Sequence, residues 1–354
     1  MAPSTALERR GSILITGANG GLGSAFVANF TKSPLGKQYR GLYTVRNPSS
    51  ATELGKVLGS APAETTSEVF SLDLGSLESV RSLAADINAR VSDGTLEPIR
   101  AVILNAGFQN AGDDALEPTS FTVEGYEMAF GANYLANFVL VLDILQSMDK
   151  EHGRIVFVSS WTHDADDPRN NSPSAIYPEE FKTMFTSTDA LAKGITYTDA
   201  GWNAGMRRYG VSKLLGVMWM YELQRRLNLD PALSNISVLS LDPAAMGGTG
   251  ITKRSGALIR FITAYVLVFL QTILVYIMPN GSYRPPWKSA QDLMLACFDE
   301  EHLGSHPKAV YLNGSVKGVS SIESRDEAKQ KQLWEDSLKL AMIRDGETAL
   351  QNWQ

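Results

Sequence analysis

Tyr209-Gly210-Val211-Ser212-Lys213 sets a phenol and an ammonium group four residues apart, a spacing that puts both side chains on one face of a helix. A free phenol titrates at about 10, and an adjacent cation favours phenolate and lowers that value. Such a pair can exchange a proton near neutral pH. The same spacing also occurs on ordinary solvated helix faces, so its weight depends on what accompanies it. Gly153-Arg154-Ile155-Val156-Phe157-Val158-Ser159-Ser160 reads as a strand ending in two serines, and Leu104-Asn105-Ala106-Gly107 closes another strand.

A second chemistry is written near the start of the chain. Thr16-Gly17-Ala18-Asn19-Gly20-Gly21-Leu22-Gly23 follows an apolar run directly and opens a helix pattern over Ser24–Phe30. Gly17 permits a sharp turn, Gly21 lets backbone approach a pyrophosphate, and Gly23 lets the helix pack on the strand. Leu22 lies in the same turn, where amide groups at a helix N-terminus meet phosphate. The second strand candidate ends in Thr44-Val45-Arg46-Asn47, with no acidic residue to bind a ribose 2′-hydroxyl. Arg46 instead offers a permanently charged fork for a 2′-phosphate, so the expected cofactor is NADP (NADPH).

These groups need a scaffold that brings strand ends together. Strands are expected at Ser12–Thr16, Gly41–Val45, Val69–Leu72, Ala101–Leu104, Ile155–Val158, Ile236–Leu241 and Ala309–Leu312. Their apolar residues run without polar alternation, the mark of parallel strands covered on both faces. Helical patterns lie between them; in Leu77–Val91, residues Val80, Leu83, Ile87 and Val91 share one side. The predicted fold class is α/β: a doubly wound, Rossmann-type parallel sheet of about seven strands flanked by helices. In such sheets ligands sit beyond the C-terminal strand ends, where the glycine turn, Asn105 and Ser160 all fall. No linker is visible, so residues 1–354 are expected to form one domain, with a C-terminal helical extension over 322–354.

Composition narrows the partners. The net charge of −6 argues against a bulk electrostatic grip on nucleic acid. Cys297 is the lone cysteine, so no internal disulfide can form. Met1–Arg10 has no apolar core of the kind a secretory signal carries, and a cytoplasmic location is expected. Two stretches break the strand and helix rhythm. Residues 161–208 are long, polar and rich in Asp, Asn, Pro and Ser, as a lid or a disordered insert would be. Phe261–Met278 carries no charge and is just long enough to span a bilayer. It lies between the sixth and seventh strands, which must pair in one sheet, so a single crossing is not expected. Three readings stay open for this segment (about 256–280, or 256–285 with its flank): an apolar substrate lid, a peripheral membrane contact, or a packing helix in the core or in an oligomer. Each implies a hydrophobic small-molecule substrate.

Taken in order, these motifs resemble the single-domain short-chain dehydrogenase/reductase family over roughly residues 10–316. The resemblance rests on the Gly17/Gly21/Gly23 turn, Asp73-Leu74, Asn105-Ala106-Gly107, Asn133-Tyr134-Leu135-Ala136, Ser160, Tyr209/Lys213 and Pro243. It implies that Asp73 contacts the adenine and Asn105 supports the adenosine side. It implies further that Ser160 bonds the substrate oxygen, that Tyr209 passes the proton, and that Lys213 binds the nicotinamide ribose and acidifies the phenol. Asn133 anchors a proton-relay water in that scheme, and Thr249 lies near the nicotinamide amide. The chain departs from the family where Ala244 replaces the glycine of Pro-Gly, and where the spacing from Ser160 to Tyr209 is unusually long. The implied function is NADP(H)-dependent reduction of a ketone or aldehyde, or the reverse oxidation. The pattern is similar to fungal specialised-metabolite reductases and to retinol-dehydrogenase-like and protochlorophyllide-reductase-like proteins. The alternatives are a lipid-type dehydrogenase at a membrane surface and a non-catalytic NADP-binding regulatory or scaffold protein.

Overall fold

The computed structural model describes residues 9–110, 115–171, 175–247 and 267–354. Eight strands form one sheet: β1 (Gly11–Thr16), β2 (Tyr39–Val45), β3 (Ser67–Ser71), β4 (Ile99–Leu104), β5 (Arg154–Val158), β6 (Ser237–Asp242), β7 (Val310–Asn313) and β8 (Val316–Lys317). Their order is β3-β2-β1-β4-β5-β6-β7-β8. The first seven run parallel and correspond to the seven expected runs. β8 pairs antiparallel to β7 and adds an eighth strand too short to leave a sequence period.

Successive residues of each central strand enter different cores. Leu14, Val102, Ile155 and Val238 join one apolar cluster, while Ile13, Ile103, Val156 and Leu239 join the other. The first face is covered by α3 (Leu77–Ser92), α4 (Ala136–Ile144), α5 (Gly201–Leu229) and α8 (Glu327–Leu340); the second by α1 (Gly21–Lys32), α2 (Thr52–Gly59) and α7 (Pro286–Phe298). The helix α6 (Leu267–Ile277) precedes α7. In α3 the Ser76 hydroxyl caps the first turn, and Val80, Leu83 and Ile87 are buried as the period requires. The C-terminal helix α8 is capped by Asp326. It packs Trp334 against Phe138 of α4, with ring centroids 5.1 Å apart.

The polar insert is folded. Ile176, Tyr177, Met184, Phe185 and Leu191 join the core, and Thr188–Lys193 forms a short helix. Its last eight expected residues, 201–208, are the opening turns of α5, so the boundary lies near residue 200. Two buried arginines anchor it. Arg207 donates to the Ile176 carbonyl at 2.6 Å, pairs with Asp199, and lies 3.9 Å from the Phe181 ring centroid. Arg208 donates to the carbonyls of Leu116 and Ile195 at 3.1 and 2.8 Å. Composition could not show this, because buried arginines supply the polar atoms that a loop backbone otherwise takes from water. The expected apolar segment is described only from residue 267 onward, where α6 is helical. β7 returns parallel beside β6, with Leu239 opposite Val310, so the chain re-enters the same sheet after this excursion.

Candidate active site

The strand order reverses between β1 and β4, and the glycine turn leaves β1 at that point. Gly17 has φ +69°, a left-handed conformation that costs other residues. A Cβ on Gly23 would stand 2.3 Å from the Gly17 carbonyl oxygen, so helix and turn could not approach as they do. α1 begins at Gly21 with no side-chain cap and no acidic residue in its first turn, and Leu22 is buried beneath it. This start is open to an anion. Asn105 ties the turn to β4: its side-chain amide donates to the Thr16 carbonyl at 2.8 Å and to that of Gly17 at 3.3 Å.

Arg46 projects from the end of β2 and is largely exposed; its Nε lies 3.8 Å from Asp73 Oδ1. Asp73 is half-exposed and accepts the Gly75 amide at 3.0 Å. Arginine and carboxylate therefore share the cleft edge beside the glycine turn, and the exposed guanidinium is free to meet a second anion. Uncapped amides, the Gly23 approach and Arg46 together fit a dinucleotide that carries an extra phosphate.

At the next strand ends the proton-transfer residues converge. Ser160 follows β5, is buried, and accepts the Thr162 amide at 3.3 Å. The phenol of Tyr209, which projects from α5, lies near enough for the serine hydroxyl to act on its ionisation. A Cβ on Gly210 would meet the Tyr177 hydroxyl at 1.8 Å, so this glycine lets the insert pack directly behind the phenol. Lys213, one turn on, places Nζ 5.4 Å from the Tyr209 ring centroid and donates to the Val158 carbonyl at 2.8 Å. The long spacing from Ser160 to Tyr209 therefore still leaves the pair on one side of the cleft, near enough to interact.

The electrostatics differ from the sequence expectation. Burial pushes the Tyr209 phenol up, the Asp242 carboxylate adds to that rise, and the nearby Ser160 hydroxyl opposes it. Burial likewise holds Lys213 down, at about 7. Burial is the largest cause of both shifts, and the phenol is not lowered as an adjacent cation is expected to lower it. Tyr209 is kept protonated, which suits a donor.

Asn133 sits in a π-helical turn, Gly131–Leu135, before α4. Its side chain accepts the Phe108 amide at 2.6 Å and donates to the Phe108 carbonyl and to Ser212 Oγ, both at 2.9 Å. It clamps the loop after β4 to the catalytic helix, and its own carbonyl accepts Asn137 at 2.8 Å. Pro243 and Ala244 follow β6. Ala244 adopts φ +65°, so the turn keeps the left-handed form that the expected glycine would take. Thr249 lies outside the described residues.

Several site residues carry no sequence signal. Asp242, the buried last residue of β6, pairs with Arg169 of the insert at 3.1 Å. Arg169 also lies over the Trp161 ring, 4.7 Å from its centroid. Gln271 of α6 is buried and accepts the Gly247 amide at 2.9 Å, fastening that helix to the loop after β6.

With this geometry in view, the likenesses to known proteins fall into place. Residues 12–172 match the family pattern described as short chain dehydrogenase. The chain is 40% identical to short-chain dehydrogenase iccH of Talaromyces variabilis, over 98% of this chain and all of that one. It is 30% identical to the chloroplastic protochlorophyllide reductase of Pisum sativum, over 94% of this chain and 78% of that one. Among solved structures, the landomycin C-6 ketoreductase LanV with bound NADP and rabelomycin aligns with TM-score 0.55 at 17% identity, covering 87% of this chain and 96% of its own. The chain belongs to the short-chain dehydrogenase/reductase family, and is an oxidoreductase acting on CH–OH or C=O groups.

Proposed function

We propose that this protein uses NADPH to reduce a ketone or aldehyde of an apolar small molecule in a specialised-metabolite pathway, and that it also runs the reverse oxidation. One observation carries the reading: the Tyr209 phenol stands beside Ser160 at the end of β5, with Lys213 against the tyrosine ring. The proposed roles follow. Backbone amides of Gly21, Leu22 and Gly23 bind pyrophosphate, Arg46 takes the 2′-phosphate, and Asp73 and Asn105 hold the adenosine side. Bound NADPH supplies the hydride. Ser160 holds the carbonyl oxygen, and Tyr209 delivers its proton to that oxygen as charge builds there. Hydride on carbon and proton on oxygen together complete the alcohol. Lys213 has the reach to leave the Val158 carbonyl for the nicotinamide ribose.

The apolar substrate class is supported by α6, which is linked through Gln271 to the loop beside the site. The specialised-metabolite setting is supported by the sequence resemblance to fungal reductases. The test is NADPH oxidation over a panel of apolar ketones with product identification. Wild-type turnover that vanishes in Tyr209→Phe while NADPH binding persists is expected; equal turnover in the variant would refute the reading and favour a binding module. A second reading, contact with a membrane surface, is favoured by the exposed Ile273, Tyr276 and Ile277 on α6. Co-sedimentation with phospholipid vesicles would support it, and full recovery in the supernatant would dismiss it.

A further inference from the structure

We infer that His163 is a positioning residue, a strut whose two ring nitrogens tie the backbone of Ser160 to the turn at Ser320–Arg325 and so fix where the serine hydroxyl stands beside Tyr209. This inference rests on the reductase reading of the site. Ser160, Trp161, Thr162 and His163 form one tight turn, in which the His163 amide donates to the Ser160 carbonyl at 3.1 Å. The ring adds a second bond to the same carbonyl, with Nδ1 at 2.7 Å. On the opposite edge, the Ser321 amide donates to Nε2 at 3.1 Å. A carbonyl only accepts and an amide N–H only donates, so the tautomer is set: the proton is on Nδ1 and the lone pair on Nε2. No other protonation state satisfies both ends.

The far end of the strut is itself anchored from three sides. Ser320 Oγ lies 2.8 Å from the Tyr221 hydroxyl of α5, and Ser324 Oγ donates to Ser320 Oγ at 2.8 Å. The Glu323 carboxylate accepts the amides of Met184 and Phe185 in the insert at 3.0 and 3.1 Å, and pairs with Lys329 of α8 at 2.6 Å. The ring is buried, with its centroid 4.9 Å from that of Tyr311 on β7. Thr162, whose amide orients the Ser160 hydroxyl, lies between the serine and the histidine. Any tilt of the ring therefore reaches the serine rotamer, and small displacements of a reacting group carry large rate penalties.

Two near-isosteric variants separate the ends of the strut. In H163N the amide nitrogen can replace Nδ1 and keep the Ser160 bond; in H163Q the amide oxygen can replace Nε2 and keep the Ser321 bond. We measure full-length protein with NADPH and phenanthrenequinone as the carbonyl probe, together with hydrogen exchange at the Ser321 amide. H163Q is expected to keep Ser321 protected and to lose about tenfold in kcat, with KM for NADPH unchanged. H163N is expected to lose Ser321 protection and only about threefold in kcat. Wild-type kcat in both variants, or equal losses accompanied by weakened NADPH binding, would overturn the strut. An inactive wild-type enzyme across the ketone panel would count against the reductase reading instead, and the contrast in Ser321 exchange would still report on the strut.

Discussion

The two ends of the cleft are built by different means. At the glycine turn the binding groups are mostly backbone amides, and the two charged side chains there, Arg46 and Asp73, stand in solvent. At the ends of β5 and β6 the working groups are side chains, screened from water and held by residues from remote parts of the chain: Asp242 by Arg169, and the Ser160–His163 turn by Ser321. An exposed charge can be exchanged with little effect on the fold, because solvent screens it. A desolvated one cannot, because its partner is left uncompensated. The nucleotide end should therefore accept changes of preference, whereas the proton-transfer end should answer substitution with losses of rate and stability together.

The sharpest check on that contrast is Tyr209→Phe, which should lower kcat by about 10²–10⁴-fold in the NADPH-oxidation assay, with NADPH affinity held by fluorescence titration. Next, Arg46→Asp should shift the ratio of kcat/KM for NADPH over NADH by roughly tenfold or more towards NADH, with an unchanged melting temperature. A fall in melting temperature would erase the distinction between the two ends. Arg169→Met removes the partner of a buried carboxylate and should cost about 3 kcal/mol in chemical denaturation. The same change leaves Asp242 opposed, among the described residues, only by Arg284 and so acting more strongly on the phenol, and the pH profile of kcat/KM should move to higher pH. Stability should also respond to acid through His163, which burial holds below the ordinary histidine value. The unfolded chain then binds that proton first as pH falls, so stability drops from the ordinary histidine range down to the folded value. H163Q should flatten that slope. Smallest of all, Ala244→Gly relieves a left-handed alanine and should raise stability by about 1 kcal/mol in the same denaturation experiment.

The halves also differ in how far the sequence discloses them. The central parallel strands are legible because both faces are covered, which fills them with apolar residues, whereas β3 at the sheet edge is only half-buried. The glycine turn, Ser160, Tyr209 and Lys213 are legible because their chemistry depends on short local spacings. The ties formed by His163, Arg169 and Glu323 are not, since each reaches a partner more than seventy residues away. Only the folded topology makes those residues neighbours. The packing of the insert stays hidden for a related reason: its polar composition masks a buried apolar set that Arg207 and Arg208 accompany. The rise in the phenol's pKa was equally hidden, because desolvation is a property of packing and spacing cannot show it.

The loop that follows β6 has a consequence for how such a protein diversifies. The Ala245 amide donates to the Ser282 carbonyl and the Arg284 amide to the Ala245 carbonyl, both at 3.0 Å, so the chain departs from the scaffold beyond Ala245 and returns at Ser282 through a single narrow doorway. Whatever is threaded between those two points can be lengthened, shortened or exchanged as a cassette while the hydride-transfer chassis stays in register. Selection can thus reshape that segment without renegotiating the scaffold beneath it.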